Sequence, residues 1–184
     1  MKARLDFRQA SPGGMKAMSG LHAFVHGCGL DPTLLELVKL RASQINGCGH
    51  CIDMHVKELR AMGEGDQRLH LLDAWQESPF YSDRERAALS WCEAVTRITE
   101  GRVPDEDYEL ARAQFSETEL VNLTLAIVAI NGANRLNIAF RTVPGSHRVR
   151  RAATAARQSK DPGADNPAAV SANLRGRFPA WAAK

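Results

Sequence analysis

The segment DPTLLELVKLRASQINGCGHCIDMHVKELRAMG, residues 31–63, contains two helical patterns separated by one break. Asp31 is a good N-cap and Pro32 suits the first helical position, so a helix is predicted to begin there. Apolar residues then recur at helical spacing and give this helix one buried face: Leu34, Leu37, Val38 and Ile45. The pair Asn46-Gly47 is a common turn sequence, and it predicts that the first helix ends there and a second one follows.

The rest of the chain also predicts successive helices, without the alternation typical of strands. The second helix is expected from near Cys48 to about Met62. Two capping-box patterns, SDRE at 82–85 and SETE at 116–119, each predict the start of a helix. The helix after the second box is the most apolar and is predicted to be central to the core, with a weak or bent point at Asn131-Gly132. Three further helices are predicted: Met15–His26, Asp66–Trp75 and Asp105–Gln114.

Composition and charge divide the chain into two parts. The 184 residues carry 44% hydrophobic side chains and a net charge of +3, which suits one ordinary domain, predicted at 1–145. Residues 146–184 form a basic extension rich in Ala, Arg and Pro, with eight of the 24 basic residues and two of the 21 acidic ones. We expect it to be disordered alone or docked on a neighbouring subunit. Without interleaved aromatic residues or a groove-reading element, nucleic-acid binding is not favoured.

The expected compartment and the spacing of the cysteines indicate which roles the cysteines can have. The N-terminus has no apolar core of signal-peptide length, and no apolar run reaches the roughly 18 residues of a membrane span. A cytoplasmic protein is therefore expected. In that reducing compartment, a C-x-x-C pair is usually catalytic or metal-binding. The chain contains one such pair and two isolated cysteines, Cys28 and Cys92, which are expected to be packing residues.

The C-x-x-C pair lies at the predicted start of the second helix. Cys48, Cys51 and His55 are spaced i, i+3 and i+7, so they fall along one stripe of the helix, whereas His50 falls on another face. A helix N-terminus and a neighbouring imidazole both favour the thiolate. Glu36 lies on the preceding helix, and a fold-back at Asn46-Gly47 would permit it to approach the thiols.

Spacing alone leaves three interpretations open. The first is a dithiol redox centre. The second is a zinc site that uses Cys48, Cys51 and His55, with His50 or Glu36 as a further ligand, although the second ligand pair usual in structural zinc sites is absent. The third is a pair of ordinary helix cysteines. Two more expectations concern nearby residues: His22 and His26 as groove or surface histidines, and Arg41 in a surface ion pair.

The stretch ELVKLRASQINGCGHCIDMHVKELRAMGE, residues 36–64, resembles the core motif of the AhpD-like peroxidases in the carboxymuconolactone decarboxylase superfamily. The family pattern is a glutamate, eleven residues, and then Cys-x-His-Cys-x-x-x-His. Five residues match it without a gap: Glu36, Cys48, His50, Cys51 and His55. The resemblance extends over about residues 1–143, although NGAN at 131–134 lacks a tryptophan found in several relatives.

The resemblance implies an all-α fold, an AhpD-like helical bundle that assembles into homo-trimers or homo-hexamers. It implies a peroxidase that reduces hydroperoxides without haem, flavin or metal. By the same resemblance Cys51 attacks the peroxide, Cys48 resolves the sulfenic acid as a disulfide, and Glu36 and His55, with Cys48, form the proton relay. His50 would support the hydrogen bonding of the site.

The implied peroxidase cycle needs an external dithiol, such as a lipoyl protein or a thioredoxin-like protein, to reduce the disulfide. The cysteine pair argues against a lactone decarboxylase. Three alternatives stay open beside the peroxidase: a redox-sensing thiol module, a zinc-binding thiol module, and a superfamily member with little peroxidase activity.

Overall fold

A computed structural model describes residues 2–149, and all regular secondary structure in that part of the chain is helical, without strands. The elements are α1 (Phe7–Ala10), α2 (Pro12–Gly27), α3 (Pro32–Ile45), α4 (Gly49–Ala61), α5 (Asp66–Leu71), a 3₁₀ helix (Leu72–Glu77), α6 (Asp83–Thr96), α7 (Ile98–Gly101), α8 (Asp105–Gln114) and α9 (Glu117–Ala139). The predicted all-α class is confirmed. Most of the predicted C-terminal extension lies outside the described residues.

The connection between α3 and α4 follows from local sequence. The Asp31 side chain accepts a hydrogen bond from the Leu34 backbone N–H at 2.8 Å, which caps α3 as predicted. At the far end Gly47 has a φ of 68°, a left-handed conformation that glycine adopts without steric cost. The chain therefore reverses within two residues, and α4 begins with Cys48 as its N-cap. This tight reversal packs α4 against α3.

Both predicted capping boxes form, at Ser82 for α6 and at Ser116 for α9. The expected weak point in α9 does not interrupt that helix, which runs from Glu117 to Ala139. Tertiary contacts offset the poor helix propensity of Asn131-Gly132. The Asn131 side chain donates to Thr96 and accepts from Asn46, and Gly132 lets the Met18 side chain of α2 approach closely.

The centre of the domain is α3, whose ten consecutive residues from Leu34 to Ser43 are all buried. Its two sides face two apolar clusters, one shared mainly with α6 and α9 and one with α4, α5 and the 3₁₀ helix. Helix α9 supplies five buried residues to the first cluster, as predicted for a core helix, although its Val121 and Val128 are exposed.

Burial of the middle of α3 on all sides changes the role expected for its charged residues. Arg41 is 5% exposed, so the predicted surface pair is wrong. Its guanidinium donates to Glu93 Oε1 at 2.8 Å and also contacts Asp73, while Trp75 donates to the same Glu93 oxygen. These bonds tie α3 to α6 and to the 3₁₀ helix. No helix within residues 2–149 is both long and apolar enough to cross a bilayer.

Candidate active site

The two cysteines of the C-x-x-C pair lie at the N-terminus of α4. Cys48 is the N-cap, Cys51 lies in the first turn, and the two form a disulfide with a Cα–Cα distance of 5.3 Å. That distance is within the usual range for disulfides. Both residues are buried, with 1% of Cys48 and none of Cys51 exposed. The backbone at the start of α4 therefore holds the two sulfurs close enough to form a disulfide.

A buried triplet of ionisable side chains lies beside the pair. Glu36 of α3 accepts from His55 Nδ1 at 2.6 Å through one carboxylate oxygen and from Lys39 Nζ at 2.8 Å through the other. All three side chains are at most 6% exposed. The fold-back at residues 46–48 thus brings Glu36 and His55 together, as the sequence permitted. Lys39 completes the triplet and was not predicted.

The protonation state of this triplet follows from its contacts. Burial alone would raise the pKa of Glu36, but the hydrogen bond and charge interaction with His55, followed by the charge of Lys39, outweigh burial and lower the pKa to about 2. The ionised carboxylate can only accept, so His55 Nδ1 must carry a hydrogen. His55 Nε2 is then the atom left for chemistry. It is buried and has no hydrogen-bond partner within residues 2–149.

His50 is directed differently from the other four motif residues. Its Nδ1 lies 3.3 Å from the backbone oxygen of Val143, in the segment that follows α9. Burial lowers the pKa of His50. The same segment is held along α4 by two more contacts, Gly145 N–H to Asp53 at 3.0 Å and His147 to Glu58 at 2.6 Å. His50 therefore helps to seat this segment over the start of α4.

Glu36, Lys39 and His55 line one wall of a cleft of about 540 Å³. Histidines of α2 lie opposite, which agrees with the predicted groove position of His22 and His26. Burial, followed by the charge of Lys39, lowers the pKa of His22, and the charge of Lys39 is the main cause that lowers the pKa of His26. The Glu36–His55 pair therefore borders a cleft that opens to solvent.

Asn137 of α9 is a second residue that sequence reasoning missed. Its Nδ2 donates to Cys51 Sγ at 3.6 Å across a separation of 86 positions. The available sequence signal was weak: asparagines repeat every third position of α9 at Asn131, Asn134 and Asn137, and the structure buries all three.

The remaining cysteines fit the packing role predicted for them. Cys92 is fully buried in the core cluster and Cys28 packs against it. Burial raises the pKa of the Cys92 thiol to about 12, which keeps it protonated and unreactive. In the part of the chain that the structure describes, no three His, Cys, Asp or Glu side chains are placed to hold a metal ion.

Comparison with known proteins agrees with this architecture. The chain is 43% identical over 140 residues to the uncharacterized protein YdfG of Bacillus subtilis (strain 168), covering 76% of this chain and 95% of YdfG. ATU0492 of Agrobacterium tumefaciens, a protein of unknown function provisionally assigned as the antioxidant defence protein AhpD, has a crystal structure that matches with a TM-score of 0.77 and 45% identity, over 79% of this chain and 100% of that one.

More distant matches cover less of the sequence or only the fold. The alkyl hydroperoxide reductase AhpD of Acidobacterium capsulatum is 50% identical over 38 residues, 21% of each chain. The debrominase Bmp8 shares the fold with a TM-score of 0.68 at 19% identity, over 75% of this chain and 74% of that one. The model of the carboxymuconolactone decarboxylase family matches residues 12–94. The chain therefore belongs to the carboxymuconolactone decarboxylase superfamily, as an AhpD-like member.

Proposed function

We propose that the protein is a thiol-dependent peroxidase that reduces hydroperoxides with Cys48 and Cys51. The observation that carries the proposal is the placement of a buried redox pair beside the Glu36–His55 hydrogen bond of 2.6 Å. The similarity to an alkyl hydroperoxide reductase supports the same reaction class. The shared fold alone does not select it, because the debrominase Bmp8 has that fold too.

The first step is activation of Cys51. His55 Nε2 accepts a proton that leaves the Cys51 thiol by way of Cys48, and the Glu36 carboxylate stabilises the resulting imidazolium. Lys39 keeps Glu36 ionised, because its ammonium lies 2.8 Å from the other carboxylate oxygen. Since Cys51 lies in the first turn of α4, the helix N-terminus stabilises its negative charge as well.

Reduction of the hydroperoxide then converts the two thiols into a disulfide. The Cys51 thiolate attacks the terminal oxygen of the hydroperoxide, so an S–O bond forms and the O–O bond breaks. The alkoxide takes the proton held by His55 and leaves as an alcohol. The Cys48 sulfur attacks the Cys51 sulfenic acid, which forms the disulfide and releases water. An external dithiol, from a lipoyl or thioredoxin-like protein, returns two electrons and two protons.

His50 is assigned a supporting role in this scheme. It contacts the backbone of Val143 and so keeps the segment after α9 over the N-terminus of α4. Exclusion of water there strengthens every electrostatic interaction at the thiolate. We place the protein in the cytoplasm, where dithiol reductants are maintained.

The test is steady-state turnover of tert-butyl hydroperoxide with a dithiol reductant. Cys51→Ser removes the nucleophile and should abolish turnover, whereas Cys28→Ser, in a residue that packs against the core, should retain it. Full turnover by Cys51→Ser would contradict the mechanism.

Three alternatives predict other results. A redox-sensing module would form and lose the disulfide reversibly without sustained turnover of any hydroperoxide. A zinc-binding module would contain stoichiometric zinc when purified without chelator, and its thiols would become reactive only after chelation. A family member with little activity would show the disulfide chemistry but slow turnover with each dithiol supplied.

A further inference from the structure

The amide of Asn137 is in direct contact with the sulfur that reacts. Its Nδ2 donates to Cys51 Sγ at 3.6 Å and to the Ala133 backbone oxygen at 2.9 Å, so both amide hydrogens are used. Its Oδ1 is buried and has no hydrogen-bond partner within residues 2–149. A buried acceptor without a partner is costly to a protein. Contacts within the described residues therefore satisfy the Nδ2 group of Asn137 but leave its Oδ1 without a partner.

We propose that Asn137 is a catalytic residue of the peroxide-reducing step. Its Nδ2–H group stabilises the Cys51 thiolate, and its Oδ1 accepts a hydrogen bond from the terminal O–H group of the hydroperoxide. The second half of this proposal rests on the proposed peroxidase function, whereas the first half applies to any thiolate chemistry at Cys51.

The donor half follows from the burial of the sulfur. None of Cys51 is exposed, so water cannot solvate a thiolate there. Lys39 is already paired with Glu36 and is not available to the sulfur. A hydrogen bond to an ionised acceptor is about twice as strong as a neutral one. The Asn137 amide therefore gains strength when Cys51 loses its proton.

The acceptor half follows from the position of Asn137 in a second pocket. This pocket has a volume of about 190 Å³, lies between α1, α2 and α9, and is lined by Phe7, Met15, Met18, His22, Leu136 and Asn137. Asn137 thus lies between the pocket and Cys51. Because its Oδ1 and Cys51 are both buried, a peroxide in the pocket reaches them once the Asn137 side chain and its neighbours in the pocket lining move aside. A hydrogen bond to Oδ1 would hold the terminal oxygen for attack.

The atoms of the step remain balanced. The terminal oxygen keeps its hydrogen, forms the S–O bond with Cys51 and becomes the hydroxyl group of the sulfenic acid. The O–O bond breaks, and the alkoxide takes its proton from His55 as before. The new S–OH group can remain hydrogen-bonded to Oδ1 until Cys48 displaces it.

The donor role is tested without peroxide. In a Cys48→Ser background, the rate of Cys51 alkylation by iodoacetamide is measured against pH, with peptide mapping to isolate Cys51. Asn137→Leu should raise the midpoint by about one pH unit. Asn137→Asp keeps the shape, removes the donor and adds a negative charge, so it should raise the midpoint further. An unchanged midpoint in a folded variant of either kind would overturn the donor role.

Asn122→Leu is the matched control for these variants. Asn122 lies on the same helix, is 8% exposed against 9% for Asn137, and donates to the Cys28 backbone oxygen at 3.5 Å. It should lose a comparable buried hydrogen bond and leave the alkylation midpoint of Cys51 unchanged. A shift equal to that of Asn137→Leu would mean that the effect is not local, which would overturn the proposal.

The acceptor role is tested at a pH two units above each midpoint, where every variant is fully thiolate. There Asn137→Leu should react about tenfold more slowly with tert-butyl hydroperoxide but at a nearly unchanged rate with dithiodipyridine, which has no O–H group. Equal effects on the two oxidants would overturn the acceptor role. If the unmodified protein fails to react with any hydroperoxide, the peroxidase proposal falls with the acceptor half, and the alkylation midpoints still decide the donor half.

Discussion

At the scale of single residues, Lys39 and Glu36 form a buried ion pair at the candidate site. Both are buried, and Glu36 bridges Lys39 and His55 through its two carboxylate oxygens. Removal of one partner from a buried ion pair destabilises a protein more than removal of both partners does, because it leaves the other charge buried and unpaired. This property gives a stability test that is independent of peroxide chemistry.

Glu36→Gln leaves the Lys39 ammonium buried without a counter-charge. We expect the free energy of unfolding at pH 7 to fall by about 3 kcal/mol. The double variant Glu36→Gln with Lys39→Met removes the buried charge and should recover most of that loss. Urea unfolding of both variants measures the difference. A single variant as stable as the double one would show that Lys39 is not desolvated.

The pH dependence of the free energy of unfolding tests whether Glu36 is ionised in the folded protein. The pKa of Glu36 is lowered from 4.5 to about 2 in the folded state, so its contribution is complete above pH 4.5 and is lost as pH falls towards 2. The unmodified protein should therefore lose more stability across this window than the Glu36→Gln variant does. Equal losses in the two proteins would place Glu36 outside the ion pair.

The spacing on α4 predicted that the two motif cysteines and His55 share one stripe at a helix start, and the resemblance to the AhpD-like motif added Glu36 to them. The structure brings Glu36 and His55 together because α3 and α4 are joined by one short turn. Lys39 was missed because a lysine among leucines usually faces solvent, and only the burial of α3 on all sides makes it internal. Asn137 was missed because its contact with Cys51 spans 86 positions.

At the scale of elements, local signals predicted the helix starts well. The capping boxes at Ser82 and Ser116 formed as expected, and so did the Asp31 cap. Local signals failed at Asn131-Gly132, where contacts from Asn46 and Met18, distant in sequence, keep α9 continuous. Helix propensity predicts structure poorly where tertiary contacts contribute more free energy than the propensity itself does.

Gly132→Ala tests how tightly α2 approaches α9. Alanine in a helix interior is favoured over glycine by about 1 kcal/mol. The added Cβ would lie 2.5 Å from the terminal methyl of Met18, which can rotate into the pocket that Met18 already lines. We expect a net gain of about 0.5 kcal/mol in the free energy of unfolding. A loss above about 1 kcal/mol would mean that Met18 cannot move.

Gly132→Val is the matched control for this prediction. Valine has a bulkier, β-branched side chain at the same close approach, so it should overpack the contact and lower the free energy of unfolding by about 1–3 kcal/mol. Thermal or urea unfolding compares the two variants. A stable valine variant would indicate that α2 itself shifts away from α9.

At the scale of the whole molecule, the fold class and the family followed from helical periodicity and the five-residue motif, and both are confirmed. Assembly into a homo-trimer or homo-hexamer stays a prediction, as does the division into 1–145 and 146–184. The segment after α9 is in contact with α4 as far as His147, so helix-forming patterns alone would end the domain too early. That contact depends on side chains that local sequence does not bring together.

The most direct test of the account is a thiol count before and after one equivalent of tert-butyl hydroperoxide, followed by peptide mapping. The reduced protein should lose two of its four thiols rapidly, with a Cys48–Cys51 disulfide, while Cys28 and Cys92 stay free. The thiols are counted after denaturation, because Cys92 is fully buried in the folded protein. A count that stays at four after the peroxide would contradict the proposed peroxidase.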